Sequence, residues 1–379
     1  MHRPPARLMM IVMLAVCAAG YAESPSPWAR HVIDDSSRGA DGVRLGDVNG
    51  DGLMDIVTGW EEGGVVRVYV NPGPQLAKQK WPAVSVGRAK NVEDAVFVDL
   101  DNDGALDVVS SCEGKTRTMY VHWAPRDPGK LLDESSWTTE AIPATADKQL
   151  WMYCLPMQVD GEHGIDLVVG SKKNHAAVGW LQSPDNPRDL AAWRYHRVAD
   201  AGWIMSLDST RFDDAPGVLV TDRKGSTRGV YLLQPPTWRR TDIELDQAEY
   251  LFGTVVDQRV AVATRDGYLR IYQPDPWRLT STIPNPFGVT WGKAVAIGRI
   301  NDDRSADYVT TANIQKTPGK SAVAWIDGET GAVHDISGPQ GIKFDRVELI
   351  DLDADGDLDV LTCEERANLG VIWYENPTR

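Results

Sequence analysis

The sequence predicts an all-β fold, a seven-bladed β-propeller built from four-stranded blades. Three observations carry that expectation. Three short motifs recur in fixed order along the 379 residues, with a period of about 50. The chain holds 34 Gly, 23 Pro and 14 Trp, a density of turn residues that cuts it into short segments and argues against a helix bundle. The repeat is also out of step with the termini. It opens on the last motif of a unit and ends on the one before, so the N-terminal strand must complete the last blade. Such closure removes the open sheet edge that a linear array would expose.

Within a unit, strand A precedes an acidic turn (VRLGD, AVFVD, AVAIG, VELID) and strand B follows it (MDIVTGW, LDVVSSC, IDLVVGS, LDVLTC). Strand C ends in a turn and occurs seven times, as VRVYVNPGP, MYVHWAP, VGWLQSP, VYLLQPP, LRIYQPDP, VAWIDG and VIWYENP. Strand D is led by Trp28, Trp81, Trp137, Trp193, Trp238 or Trp277, and residues 332–337 supply a seventh copy without the indole. Alternation and the weight of Val, Ile, Tyr and Trp suit pleated strands. Units four and five lack the acidic turn and are recognised by strands C and D alone. Trp123, Trp180, Trp325 and Trp373 fall in strand C and read as core. No linker interrupts the units, so residues 23–379 are expected to form one domain.

Three acidic turns, at 47–55, 99–107 and 351–359, share the pattern D-x-[DN]-x-D-G-x-x-D. It sets oxygen ligands at the first, third, fifth and ninth positions, and the glycine lets the backbone reverse so that they converge. The sets are Asp47, Asn49, Asp51 and Asp55; Asp99, Asp101, Asp103 and Asp107; and Asp351, Asp353, Asp355 and Asp359. Carboxylates packed so closely repel unless a cation answers them, so a structural Ca²⁺ is expected in each loop. The turns at 158–166 and 299–307 are degenerate. His163 stands where glycine belongs in the first, and Arg299 and Arg304 bring fixed positive charge to the second, where no metal is expected.

These loops between the first two strands of a blade resemble the FG-GAP or VCBS repeat family, whose members include the propeller of integrin α subunits. The phrases that give the FG-GAP repeat its name are not legible here. The resemblance covers nearly all of residues 23–379 and implies a seven-bladed propeller with calcium in the A–B turns. The family spans adhesion proteins, lectins and sugar-processing enzymes, so the likeness leaves function open.

Residues 1–22 hold Arg3 and Arg7, an apolar run from Leu8 to Ala19, and then Gly20, Tyr21 and Ala22. This is the pattern of a secretory signal cut before Glu23. The run is short for a bilayer span, and Val16 ahead of Cys17 disfavours lipid anchoring. A secreted or periplasmic monomer without a transmembrane segment is therefore expected. With 39 Lys+Arg against 54 Asp+Glu the net charge is −15, which makes the chain a poor ligand for nucleic acid. Cys112, Cys154 and Cys363 are odd in number and lack CxxC or Cys/His spacing, so they read as buried hydrophobes and not as a disulfide or zinc framework.

On a propeller the A–B and C–D loops share one face, and the B–C and D–A loops the other. The second face gathers cations and indoles, which suit a glycan because Lys and Arg hold acidic groups and an indole stacks on a sugar ring. A ligand, carbohydrate or an extracellular protein, is expected there, with Lys115, Arg117, Lys172, Arg223, Lys293, Arg346, Trp151 and Trp203 as candidate contacts. The alternatives are an enzyme acting on acidic sugars and a protein-interaction or adhesion scaffold. In a lyase, His175 and Tyr153 would supply base and acid, with an arginine such as Arg366 neutralising the carboxylate. In a glycosidase, the pair would come from Glu61, Glu62, Glu93, Asp94, Glu364 and Glu365. No nucleophile elbow, P-loop, dinucleotide fingerprint or HExxH occurs, which leaves acyl transfer, nucleotide chemistry and zinc proteolysis without support.

Overall fold

The computed structural model describes residues 27–212 and 215–378; the expected signal at 1–22 and Cys17 lie outside them. Among the described residues, 28 strands form seven four-stranded antiparallel sheets. In chain order the blades occupy 40–87, 92–141, 150–200, 204–244, 250–284, 292–335 and 344–375. The seventh takes its outer strand from the other end of the chain, Ala29–Asp34 pairing with Gly370–Glu375. The ring closes where strand A of blade one, Ala40–Gly46, meets strand A of blade seven, Phe344–Ile350.

Burial explains the strand sequences. Strand B is covered on both faces by the neighbouring blades. Every residue of Asp55–Trp60, Asp107–Cys112, Asp166–Lys172, Asp307–Ala312 and Asp359–Glu364 is buried, so these segments read as near-continuous runs rather than alternating ones. Strand D is outermost, and in blade five Arg278–Pro284 is exposed along most of its length. The tryptophans that lead into strand D fold back: the Nε1 groups of Trp81, Trp137 and Trp193 donate to the carbonyls of Ala77, Leu131 and Pro187, each at 2.9 Å. The strand C tryptophans are buried as expected. Trp180 stacks on His196 and Trp325 on His334 of strand D, with ring centroids 4.7 and 4.1 Å apart, and Trp373 packs tilted against His31 at 4.5 Å. Cys112, Cys154 and Cys363 are buried and free. Blade five, which lacks the acidic turn, reverses through Asp257 and Gln258, both at positive φ (49° and 62°); a two-residue turn of that kind matches the twist of paired strands.

One irregularity recurs in all seven blades. Early in strand A the register with strand B slips: between Asp41 and Arg44, Val92 and Asp94, Trp151 and Tyr153, and Ile204 and Ser206. The same slip falls between Tyr250 and Gly253, Gly292 and Val295, and Phe344 and Val347. A bulge inserts residues on one strand and re-aims side chains. Here Glu93, Met152, Met205, Lys293 and Asp345 lie within the slips, and all five line one recess on the propeller axis.

Candidate functional site

The acidic A–B turns divide into two parts. The ninth aspartate opens strand B and is buried. In blade one the Asp55 carboxylate accepts the backbone N–H groups of Val48 and Asn71, both at 2.7 Å. Asp107 accepts from Leu100 (3.2 Å) and Ala124 (2.8 Å), and Asp359 from Leu352 and Asn376 (2.9 Å each). Each carboxylate thus ties the A–B turn to the end of strand C. Asp166 does the same with Val159 and Ser183, and Asp307 with Ile300 and Gly328, at 2.8 and 2.9 Å in both blades. The latch therefore persists where the rest of the motif has decayed. Burial pushes the carboxyls of Asp107 and Asp359 up to about 7 and that of Asp55 to about 6, against the pull of the N–H groups.

The first, third and fifth positions converge instead. Asp99, Asp101 and Asp103 bring carboxylate oxygens within 4.8 Å of one another, and so do Asp351, Asp353 and Asp355. Oδ1 of Asp101 and Oδ1 of Asp353 are buried and have no hydrogen-bond partner. Other oxygens of these turns meet cations, Asp103 meeting Arg126 at 2.7 Å, Asp101 meeting Arg188, and Asp353 meeting Lys78 at 3.1 Å. An orphaned buried carboxylate oxygen is costly, and converging carboxylates fit Ca²⁺, a hard cation that takes oxygen ligands. Gly52, Gly104 and Gly356 hold the sixth position at φ of 86°, 90° and 94°, where a side chain would be strained. In blade one Asp47 accepts N–H groups from Gly50, Asp51 and Gly52, while Asn49 bonds Asp51. In blade three Gln158 replaces that first aspartate and accepts from Asp160 and Gly161. Blade six adds an acid outside the motif, since Asp327 of the C–D turn converges with Asp303 and Asp307.

At the opposite end, the recess of about 320 Å³ on the axis is lined from six blades. Its charges are zoned and largely paired. Lys172 Nζ lies 2.8 Å from Glu93 and also contacts Glu113. Lys293 and Lys343 both reach Asp345, and Lys343 contacts Glu365, whose other oxygen meets Arg366 Nε at 2.8 Å. Burial raises the Asp41 carboxyl well above the carboxylate range, with repulsion from Asp345 adding to it. Burial likewise pushes Glu93 up to about 7, although Lys172 opposes the shift. Tyr153, buried beside them, keeps its proton far into the alkaline range. Trp203 and Trp291 complete the lining, with the Arg265 guanidinium 4.3 Å from the Trp291 ring centroid. A larger recess, about 510 Å³ between the A–B loops of blades six and seven, has no aromatic side chain in its lining.

The backbone around the axial recess is organised by the last residue of strand B. In blade four Asp222 accepts N–H groups of Gly202 and Trp203. In blade seven Glu364 accepts those of Ile342, Lys343, Arg366, Ala367 and Leu369. Each binds a D–A turn to a B–C loop.

The residues expected from sequence separate accordingly. Lys172, Arg223, Lys293 and Trp203 line the recess, as do Glu93, Tyr153 and Arg366 among the catalytic candidates. Trp151 does not: it is fully buried between blades, with Nε1 donating to the Thr145 carbonyl at 3.0 Å. Arg346 lies below the recess in the channel, bonded to Glu348 (2.6 Å) and reaching Asp208 (3.4 Å). Arg117 is held by the Asp147 carbonyl, and Lys115 is exposed outside the lining. Asp94 is committed to Arg44 through two bonds of 2.9 and 3.0 Å. His175 is exposed on its turn and also outside the lining. The cations on this face are legible in the sequence; the acids, several from neighbouring blades, that neutralise most of those in the recess are not.

Residues 47–110, from the first acidic turn to strand B of blade two, match the FG-GAP-like repeat. Among solved structures, the Myceliophteria thermophila Cps50 (Swd1) β-propeller domain superposes with a TM-score of 0.59 at 10% identity, covering 92% of this chain and 100% of that one. BBS1N, crystallised in complex with ARL6DN, gives 0.58 at 11% identity over 93% and 98%. Both likenesses concern the fold alone. A distant sequence likeness, 26% identity over 207 residues, links 52% of this chain to 71% of imidazole glycerol phosphate synthase subunit HisF of Clavibacter michiganensis subsp. michiganensis, and at that level it assigns no activity. The chain is a seven-bladed β-propeller carrying FG-GAP-like repeats.

Proposed function

We propose that this protein is an exported, calcium-stabilised propeller that binds a carbohydrate in the axial recess. The observation that carries the reading is the set of strand A bulges, which aims side chains from several blades into one recess beside Trp203 and Trp291. A sugar ring has an apolar face that packs on an indole, and hydroxyls that both donate and accept. The recess answers with carboxylates as acceptors and with Lys and Arg as donors. Ca²⁺ would be held by Asp47, Asn49 and Asp51, by Asp99, Asp101 and Asp103, and by Asp351, Asp353 and Asp355, with the ninth aspartate behind each set. Its contribution there is to neutralise crowded carboxylates and stiffen the turn. Export is supported by the signal-like pattern of residues 1–22 and by the FG-GAP-like repeat. A ring closed by its own N-terminal strand leaves no edge that needs a second copy, which favours a monomer.

Calorimetric titration with a panel of oligosaccharides in calcium tests the reading. Binding that Trp203→Ala abolishes is expected, and absence of binding to any sugar contradicts it. A second reading, an enzyme acting on acidic sugars, draws on Glu93 with its carboxyl at about 7 and on the protonated Tyr153 in the same recess, groups suited to proton transfer. New unsaturated products or reducing ends from polyuronates would favour it. BBS1N was crystallised with a protein partner, so a protein ligand is the third occupant that the titrations would expose by finding no sugar.

A further inference from the structure

We infer that the axial recess contains a built subsite for an oxyanion, the carboxylate or sulfate substituent of an acidic sugar, centred on Trp203 between blades three and four. The inference rests on the carbohydrate reading and names the class of sugar.

Four cationic groups crowd this one indole. Lys172, Arg223, Lys224 and Lys173 stand 4.8, 5.0, 5.0 and 5.8 Å from its ring centroid. They come from the ends of strand B and the B–C loops of two adjacent blades. Two are answered within the protein, Lys172 by Glu93 and Glu113 and Arg223 by Glu249 at 2.8 Å. Among the described residues, Lys173 and Lys224 lie within salt-bridge distance of no carboxylate, although the charge of Lys173 is felt at Glu113, in a chain of net charge −15. An exposed lysine alone would mean little, but two ammonium groups outside any close ion pair, beside two buried cations, form a local positive field that favours an anion. Trp203 Nε1 is a second, independent feature: it is buried and has no acceptor, and a buried donor left unmatched calls for a partner.

The indole is also rigidly mounted. Asp222 accepts the Trp203 N–H at 2.8 Å and the Thr227 hydroxyl at 2.7 Å. Arg223 N–H donates to the Trp203 carbonyl at 2.8 Å, and Lys173 N–H to the Gly202 carbonyl at 2.9 Å. A Cβ on Gly202 would sit 1.8 Å from the Lys224 carbonyl oxygen, so only glycine lets this turn press against the loop that carries Lys224. A subsite held in place before binding loses less entropy when it is filled. Across the recess, Asp41 and Glu61 line the wall of blade one; burial raises both carboxyls, and this wall offers an anion no positive charge. A bound acidic sugar is thereby oriented with its charge toward blades three and four.

The test is calorimetric titration of wild type and the double variant Lys173→Ala/Lys224→Ala. The probes are an oligouronate, a sulfated oligosaccharide and a neutral oligosaccharide of matched length, with inorganic sulfate as a fourth. Wild type should bind the charged sugars at least about tenfold more tightly than the neutral one. The double variant should lose about that factor for charged sugars and nothing for the neutral one. The tighter of the two charged probes identifies the substituent. Equal affinity for neutral and charged sugars, or charged binding untouched by the double variant, overturns the subsite. If no sugar binds but sulfate binds wild type and not the variant, the subsite stands and the carbohydrate reading falls. If neither sugars nor sulfate bind, both fall.

Discussion

The ninth aspartates of the A–B turns and the carboxylates that line the axial recess are held by different means. At the A–B end, Asp55, Asp107, Asp166, Asp307 and Asp359 each accept two backbone N–H groups, from equivalent places in five blades. At the axial end, Glu93, Asp345 and Glu365 are held by lysines and an arginine, in pairings that no two blades share. A backbone amide exists at every position, so a carboxylate that uses one can be copied from blade to blade. A lysine has to be supplied at each place. The comparison separates two roles within one motif: the ninth aspartate belongs to the fold, and in our proposal the first, third and fifth positions answer to an ion.

The largest expected effect tests the latch. Asp107→Ala or Asp307→Ala orphans two buried N–H groups and should cost about 3 kcal/mol in urea unfolding; a variant as stable as wild type would break the comparison. Calcium removal should be smaller for each site. For a site with Kd of about 10⁻⁴ M at millimolar calcium, linkage gives about 1.4 kcal/mol per site, so EDTA should lower the melting temperature, and an unchanged melt would count against structural calcium. The smallest effect sharpens the axial side. Burial raises Glu93 from 4.5 in the unfolded chain to about 7, so the folded state binds its proton more tightly. The stability this contributes is complete below pH 4.5 and is lost as the pH rises through about 7. Glu93→Gln carries no such titration, and its stability relative to wild type should improve between those values. Melts across pH read this directly, and a constant difference would contradict the assignment.

The same contrast explains what was legible in the sequence. The A–B end is periodic, so blade count, ring closure, acidic turns and strand C tryptophans could all be read from repetition. The axial recess leaves no period. Lys172 and Glu93 are 79 residues apart, and nothing local announces their pairing. The bulges are equally silent, because an extra residue in strand A still looks like strand. Trp151 shows the consequence. Relative to the slip it occupies the position of Ile204, and both are fully buried, whereas Trp203 stands one residue earlier and reaches the recess. One step along the strand separates a core indole from a candidate ligand contact. Asp94 and Glu93 differ in the same way: the bulge turns Glu93 to the axis, and Asp94 bonds Arg44.

The separation of latch from ion is tested most directly by unfolding Asp166→Ala and Asp353→Ala in calcium and again in EDTA. Asp166 sits in a turn whose first position is glutamine, and Asp353 holds a buried oxygen with no partner. The Asp166→Ala penalty should be the same in both buffers. Asp353→Ala should be less stable than wild type in calcium and lose that penalty in EDTA, where removal of a repelling carboxylate offsets loss of the exposed Lys78 pair at 3.1 Å. A penalty at Asp166 that vanishes with EDTA, or one at Asp353 that survives it, would contradict the division of the motif.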